Sequence, residues 1–159
     1  MDLGRSRSWT RVITLTNIWK MNTRINLNLQ GHLQVKIKKQ GEDWTTAYDE
    51  HNAIDPNHLN IIRKALAGQA GAKISNIRAL ASTTTLAIAS VTVFTTPVSP
   101  SNVVEFTAEF DEPSFNGTLD ELKLEAFTEG VFSYVDNLSI YKDNASKLAI
   151  TWKLTVNQI

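Results

Sequence analysis

The sequence contains no cysteine. Disulfide bonds, thiolate catalysis, cysteine-ligated zinc and iron–sulfur clusters are therefore excluded. No stretch approaches the roughly 20 apolar residues that a membrane-spanning helix needs, so we expect no membrane partner. Glycine loops of the GxGxxG and GxxxxGK types and the GxSxG serine elbow are also missing, so common phosphate-binding and hydrolase motifs are absent.

Histidine is scarce, with His32, His51 and His58 as the three examples. His51 and His58 have acidic neighbours, but they are seven residues apart and straddle the start of a predicted helix. Zinc sites on a helix usually place two ligands three or four residues apart. The simpler interpretation of His58 is a solvated or capping residue. We therefore predict no metal site, no cofactor-binding residue and no catalytic residue.

Acidic pairs occur at Asp111–Glu112 and Asp120–Glu121. A glycosidase would use two carboxyl groups roughly 5–10 Å apart, and the sequence does not fix that distance. Acidic neighbours beside a turn are far more often solvated charges. The sequence therefore predicts a protein that is not an enzyme and has no small-molecule substrate.

The charge is balanced overall but unevenly placed. Residues 1–90 contain 12 Lys/Arg and 6 Asp/Glu, whereas residues 91–159 contain 4 and 10. Such an asymmetry is compatible with head-to-tail contacts between copies of the chain. The alternative is that long-range strand pairing mixes the charges in space.

The chain has 159 residues, of which 42% are hydrophobic, as suits one globular domain. Residues 1–20 are basic, and polar residues interrupt their apolar run, so we expect no signal peptide. The first clean strand pattern opens at Met21. We predict a basic N-terminal arm or extension at 1–20 and a single β-rich domain at 21–159. The arm offers four candidate assembly contacts: Arg5, Arg7, Arg11 and Trp19.

One helix is predicted at about residues 56–67. Asp55 is a good N-cap, Pro56 suits the first helical position, and Gly68 suits the exit from the helix. Leu59, Ile62 and Leu66 fall at i, i+3 and i+7, with Ile61 and Ala65 beside them, and together they define one apolar face. We expect this face to pack against the core.

Alternating apolar and polar residues predict strands over most of the remaining chain. Residues 24–30 and 33–38 alternate on either side of Gly31, which predicts a hairpin. The clearest strand lies near the end of the chain, with five apolar residues facing one way: Leu148, Ile150, Trp152, Leu154 and Val156. About eight strands and one helix predict a mainly β fold, an antiparallel sandwich or barrel-like domain.

Trp44 and Tyr48 are candidate exposed aromatic binding positions. Trp44 suits the core or a platform on which a carbohydrate stacks, and the core is the favoured interpretation. Lys36, Lys38 and Lys39 beside Trp44 weakly suggest nucleic-acid binding. A lysine-rich strand is more often an edge protected against aggregation, so we expect no nucleic-acid partner.

Three segments of the sequence carry a resemblance to a known family. HNAIDPNHLNIIRKALAG ends a helix on a small residue, VVEFTAEFDEPSFNGTLDELKL joins two strands through an Asn-Gly turn, and KLAITWKLTV is a tryptophan-bearing strand. Together they cover roughly residues 49–156. On these segments the chain resembles bacteriophage virion structural proteins associated with the tail, connector or fibre.

The resemblance implies a non-enzymatic virion protein that oligomerises and bridges other particle components, in the tail, connector or fibre base. Its partners would be copies of itself and other virion proteins, and it would be assembled into the virion in the host cytoplasm. The alternative is a capsid decoration protein or a receptor- or carbohydrate-binding module, with an exposed aromatic side chain in a shallow groove. A small hydrolase is the third hypothesis.

Overall fold

The structure, a computed structural model, describes residues 27–95 and 102–158. The predicted arm at residues 1–20 lies outside them, together with its four candidate contacts Arg5, Arg7, Arg11 and Trp19. The elements in chain order are β1 Leu27–Lys39, β2 Thr45–Ile54, α1 His58–Leu66, β3 Ile74–Ala81, β4 Thr84–Ser90, β5 Thr92–Thr95, β6 Val103–Phe110, β7 Gly117–Leu119, β8 Glu121–Ala126, β9 Gly130–Val135, β10 Ile140–Lys142 and β11 Ser146–Gln158.

Nine strands form one antiparallel sheet in the order β4-β3-β8-β9-β2-β1-β11-β6-β5. Strands β4 and β5, at opposite ends of this order, are separated in the chain by Val91 alone, and β4 contacts β6. The sheet is therefore a nearly closed barrel. Strands β7 and β10 form a separate two-stranded sheet. The predicted mainly β, antiparallel fold with one α-helix is confirmed for the described residues.

The core lies inside the barrel and is centred on β11, which pairs with β1 on one side and β6 on the other. Trp152 of β11 is fully buried and lies opposite Leu33 of β1 and Phe106 of β6. The predicted apolar face of this strand is therefore the core face. Val156, near the end of the strand, is the exposed exception.

Gly31 does not form the predicted hairpin, because β1 runs through it as one 13-residue strand. Gly31 pairs with Leu154 on one side and Asn52 on the other. A Cβ at this position would lie 2.3 Å from Nδ2 of Asn52. The glycine is needed for a close approach between strands, a use of glycine that alternation alone does not distinguish from a turn.

Helix α1 begins two residues later than predicted, because Asp55 is not its N-cap. Oδ1 of Asp55 instead accepts a hydrogen bond from the backbone N–H of Asn57 at 2.8 Å, and Asn57 occupies the N-cap position. This Asx-type turn, with Pro56 inside it, brings the chain from β2 into the helix.

The predicted burial of the helix face is wrong for Leu59, Ile62 and Leu66 and holds for Ile61. Leu59 is 67% exposed, Ile62 is 37% exposed and Leu66 is 85% exposed, whereas Ile61 is buried. The helix therefore packs on the barrel through the opposite face, which carries Ile61, and turns its apolar stripe outward.

Candidate functional site

A cleft of about 340 Å³ lies beside the connection between β1 and β2. We call it the Trp44 cleft. Its lining is mostly charged and polar, with one aromatic side chain: Lys38, Lys39, Gln40, Gly41, Trp44, Glu109, Glu112 and Lys147.

The first wall is the turn between β1 and β2. The backbone N–H of Glu42 donates to the carbonyl of Lys39 at 3.0 Å, and Gly41 has φ of +80°, which favours glycine at this point of the turn. The N–H of Gln40 donates to the carbonyl of Ala145 at 2.9 Å and ties the turn to the start of β11. Trp44 follows the turn with 38% of its surface exposed, so its core interpretation does not hold.

The second wall is a cluster of charges around Lys147. The Nζ atom of Lys147 lies 3.2 Å from Oδ1 of Asp111, 3.4 Å from Oε1 of Glu109 and 3.6 Å from Oε2 of Glu112. Asp111, and then Glu109 and Glu112, raise the pKa of Lys147 because they stabilise its ammonium form. The cluster joins β6, the segment after it and β11 into one continuous surface.

Behind this wall, the buried Lys142 fixes the segment after β6. Its Nζ donates to the carbonyl oxygens of Glu112 at 2.7 Å, Asp143 at 3.1 Å and Phe115 at 3.2 Å. The ammonium group also lies 5.1 Å from the centre of the Phe115 ring. Burial lowers the pKa of Lys142. With all three of its donors used, Lys142 acts as a clamp that sets the position of Glu112 in the cleft.

The turn into β11 is fixed by Asp143. Its Oδ1 accepts hydrogen bonds from the N–H of Ala145 at 3.0 Å and the hydroxyl of Ser146 at 2.5 Å. The bond from Ser146 lowers the pKa of the Asp143 carboxyl, with a smaller effect from Ala145. This turn places Lys147 at the edge of the cleft.

Lys147 forms ion pairs with carboxylates. Lys38 and Lys39 do not, because no carboxylate of the described residues lies within 4 Å of either ammonium group. The Trp44 cleft thus combines ammonium groups and an indole ring with carboxylates that a third lysine partly neutralises. Such a surface can donate and accept hydrogen bonds and can also stack against an apolar face.

Tyr48 is not part of this cleft. It is half-buried on β2 and packs against the core. Its pKa is raised, chiefly by burial and then by Glu50 and Asp136. The two predicted aromatic positions are therefore not brought together, and ligand binding at either stays a prediction.

The histidines do not form a metal site. On the outer face of the sheet, Nε2 of His32 lies 2.5 Å from Oδ1 of Asp49, and Gln34 donates to Oδ2 of Asp49 at 2.9 Å. These bonds, the one from Gln34 first, lower the pKa of Asp49. The ring of His51 meets that of His32 edge to face at 5.4 Å. Across residues 27–95 and 102–158, no group of three His, Asp or Glu side chains could hold a metal ion.

His58 lies apart from the other two histidines. Its Nδ1 lies 2.7 Å from the carbonyl oxygen of Asp55, at the start of α1. The ring nitrogen can only donate to this oxygen, so the contact is not an N-cap, and no side chain of the described residues caps the start of α1.

The second notable surface is the exposed apolar stripe of α1. We call it the α1 ridge, and it consists of Leu59, Ile62 and Leu66. The opposite side of the helix is anchored to the barrel: Ile61 is buried, Lys64 forms an ion pair with Glu129, and Asn57 donates to the carbonyl of Glu129 at 2.7 Å. The ridge is therefore presented on a fixed support.

Ion pairs join the two halves of the chain that differ in charge. Arg78 forms a two-point contact with Glu125, at 2.9 and 3.0 Å, and Lys64 pairs with Glu129. In these pairs, basic residues of the first half meet acidic residues of the second. They favour the interpretation that the charges mix in space.

Sequence reasoning identified Trp44, Lys38 and Lys39 but missed Lys147 and Glu109. Lys147 lies opposite Lys38 in the pairing of β11 with β1, and Glu109 lies opposite Ala149 in the pairing of β6 with β11. Their position in the cleft could be predicted only if this strand register were known.

No helix in the described part of the chain is long and apolar enough to cross a membrane. None of the protein-family models, curated proteins and solved structures compared with the chain matches it.

Proposed function

We propose that the chain is a non-enzymatic structural protein of a bacteriophage particle. It binds copies of itself and other virion proteins, in the tail, connector or fibre base. The observation that carries the proposal is the α1 ridge, where Leu59 and Leu66 are 67% and 85% exposed.

Large apolar side chains grouped on one exposed face mark contacts with other molecules, since each gains free energy when it leaves water. The ridge has the further property of rigidity. Because Ile61 and the Lys64–Glu129 pair hold the helix to the barrel, a partner that binds the ridge orders little new structure. Arg63 provides a charged rim beside the apolar centre, as in many interfaces.

The charge arrangement in the Trp44 cleft supports the non-enzymatic part of the proposal. Glu109, Asp111 and Glu112 each lie within 3.6 Å of the Lys147 ammonium group. An ion-paired cluster of this kind suits a fixed wall better than it suits proton transfer to a substrate.

The oligomeric state in solution tests the proposal. We expect size-exclusion chromatography with light scattering to give an oligomer for the full chain and a smaller species for the Leu59→Ser/Leu66→Ser double variant. The matched control is Tyr141→Ser, which removes an exposed aromatic side chain from β10 and leaves the ridge intact. A wild-type chain that stays monomeric over a wide concentration range would contradict self-assembly.

The location in a particle needs a separate measurement. Mass spectrometry of purified phage particles made from the genome that encodes the chain should find its peptides in the particle. Chemical cross-linking should then connect the chain to a second copy or to another virion protein. Particles that lack the chain would contradict the virion assignment.

A further inference from the structure

We propose that the Trp44 cleft binds a saccharide, with a sugar ring stacked on Trp44 and its hydroxyl groups held by the charged walls. This inference goes beyond the proposed assembly function. It rests on different residues, because the cleft and the α1 ridge share none.

The first argument is the setting of Trp44. Trp44 is 38% exposed and lines the cleft, where an indole ring can stack against the apolar face of a ligand. The C–H bonds on one face of a pyranose ring match that surface. Two backbone hydrogen bonds hold the turn before Trp44, Glu42 to Lys39 and Gln40 to Ala145, so the platform stands on ordered backbone.

The second argument is the mixture of donors and acceptors. Each sugar hydroxyl both donates and accepts hydrogen bonds. Lys38 and Lys39 supply donors, Glu109 and Glu112 supply acceptors, and the side-chain amide of Gln40 supplies both. Convergent polar groups around an apolar contact are typical of small-ligand sites.

The third argument separates a saccharide from a nucleic acid. Single-stranded nucleic acid would also stack on a tryptophan beside lysines. However, Glu109 and Glu112 line the same cleft and pair with Lys147, so a phosphate would have to compete with them for that ammonium group. Hydroxyl groups use carboxylates as partners, so the acidic wall favours a saccharide.

The size of the cleft indicates how much of a ligand it can contact. Its volume of about 340 Å³ is near the lower end of the ~300–1,000 Å³ found for small-ligand pockets. We expect it to hold a short part of a glycan and to bind with the modest affinity of an open site. Several copies in one assembly would strengthen attachment through multivalency.

The test is an array of neutral and acidic oligosaccharides, followed by calorimetric titration of the glycan that gives the highest signal. We expect the wild-type chain to bind at least one glycan, and Trp44→Ala to weaken that binding by at least about tenfold, as for the loss of a stacking contact. The matched control is Phe127→Ala, an exposed aromatic residue outside the cleft, which should bind within about twofold of wild type.

A second variant, Lys39→Ala, guards against a folding defect in Trp44→Ala and should also weaken glycan binding. Near-ultraviolet circular dichroism of both variants should keep the signal of the buried Trp152. The inference is overturned if no glycan binds the wild-type chain, or if binding survives Trp44→Ala. Binding of oligothymidylate instead of glycans, weakening steeply with salt, would also overturn it and assign the cleft to nucleic acid.

The two proposals fail separately. If Trp44→Ala loses glycan binding but keeps the wild-type oligomeric state, the result supports saccharide binding at the cleft. It leaves the proposed assembly through the α1 ridge unaffected. A monomeric chain that still binds glycans would contradict self-assembly and leave the cleft assignment intact.

Discussion

Strand β11 and helix α1 each carry a regular apolar stripe, but the stripe of β11 is buried and that of α1 is exposed. Leu148, Ile150 and Trp152 of β11 are almost completely buried, whereas Leu59 and Leu66 of α1 are largely exposed. Periodicity therefore identifies both elements correctly, but it does not decide what covers them. Burial is decided by the neighbours that the tertiary fold supplies.

The neighbours differ for a geometric reason. β11 has a hydrogen-bonded strand on each side and the barrel interior beneath it. α1 rests on the outside of the barrel, against β9 and the turn at residues 70–72, and one buried side chain, Ile61, makes the inward contact. A helix on the outside of a nearly closed sheet has only one side covered, so an apolar face on its other side remains open.

The largest effect should come from the buried stripe. We expect Trp152→Ala to lower the free energy of unfolding by about 3–5 kcal/mol, because it leaves a cavity in the centre of the core. Urea denaturation followed by circular dichroism measures this loss. A loss below about 1 kcal/mol would mean that the centre of the barrel collapses around the cavity.

The control for this variant is Trp152→Phe, which keeps an aromatic ring in the core. Nε1 of Trp152 has no hydrogen-bond partner among the described residues, so the substitution removes an unpaired polar atom as well as some volume. We expect a loss under about 1.5 kcal/mol.

An intermediate effect is expected at Lys142, a polar residue buried as deeply as the β11 stripe. Lys142→Met removes the donor to the carbonyl oxygens of Glu112, Phe115 and Asp143. We expect a loss of about 2–3 kcal/mol in the free energy of unfolding, from acceptors left without their partner. The same urea titration measures it.

Lys147→Met is the matched comparison, since it removes a lysine with three acidic partners that is about one-third exposed. We expect a clearly smaller loss than for Lys142→Met, because exposed ion pairs contribute little to stability. Equal losses in the two variants would show that Lys142 is not the clamp we describe.

The smallest effect should come from the exposed stripe. Under conditions that keep the chain monomeric, Leu66→Ser should change the free energy of unfolding by less than about 0.5 kcal/mol, because its side chain is 85% exposed. A loss above about 1.5 kcal/mol would mean that Leu66 is covered in the folded monomer, and the α1 ridge would no longer be available to a partner.

Much of the fold could be predicted because its signals are local. The alternation in β11 and β6 and the turn residues at the start of α1 specify elements without reference to the rest of the chain. Gly31 shows the limit of such signals. Its reason for being glycine is Asn52, which lies close to it only after β1 and β2 pair.

For the same reason, only part of the Trp44 cleft could be predicted from the sequence. Trp44, Lys38 and Lys39 are close in sequence and could be grouped, but Lys147 is more than a hundred residues away. Register between β1 and β11 joins these parts, and a single sequence does not specify register between distant strands.

The position of β11 also bears on how the barrel is made during translation. This strand emerges from the ribosome after every other strand described here, yet it pairs with β1 over 13 residues and separates β1 from β6. Until it arrives, β1 and β6 have no shared neighbour and their apolar faces stay uncovered. We therefore expect slow, largely post-translational folding, with a nascent chain that depends on chaperones and aggregates if synthesis stops before residue 146.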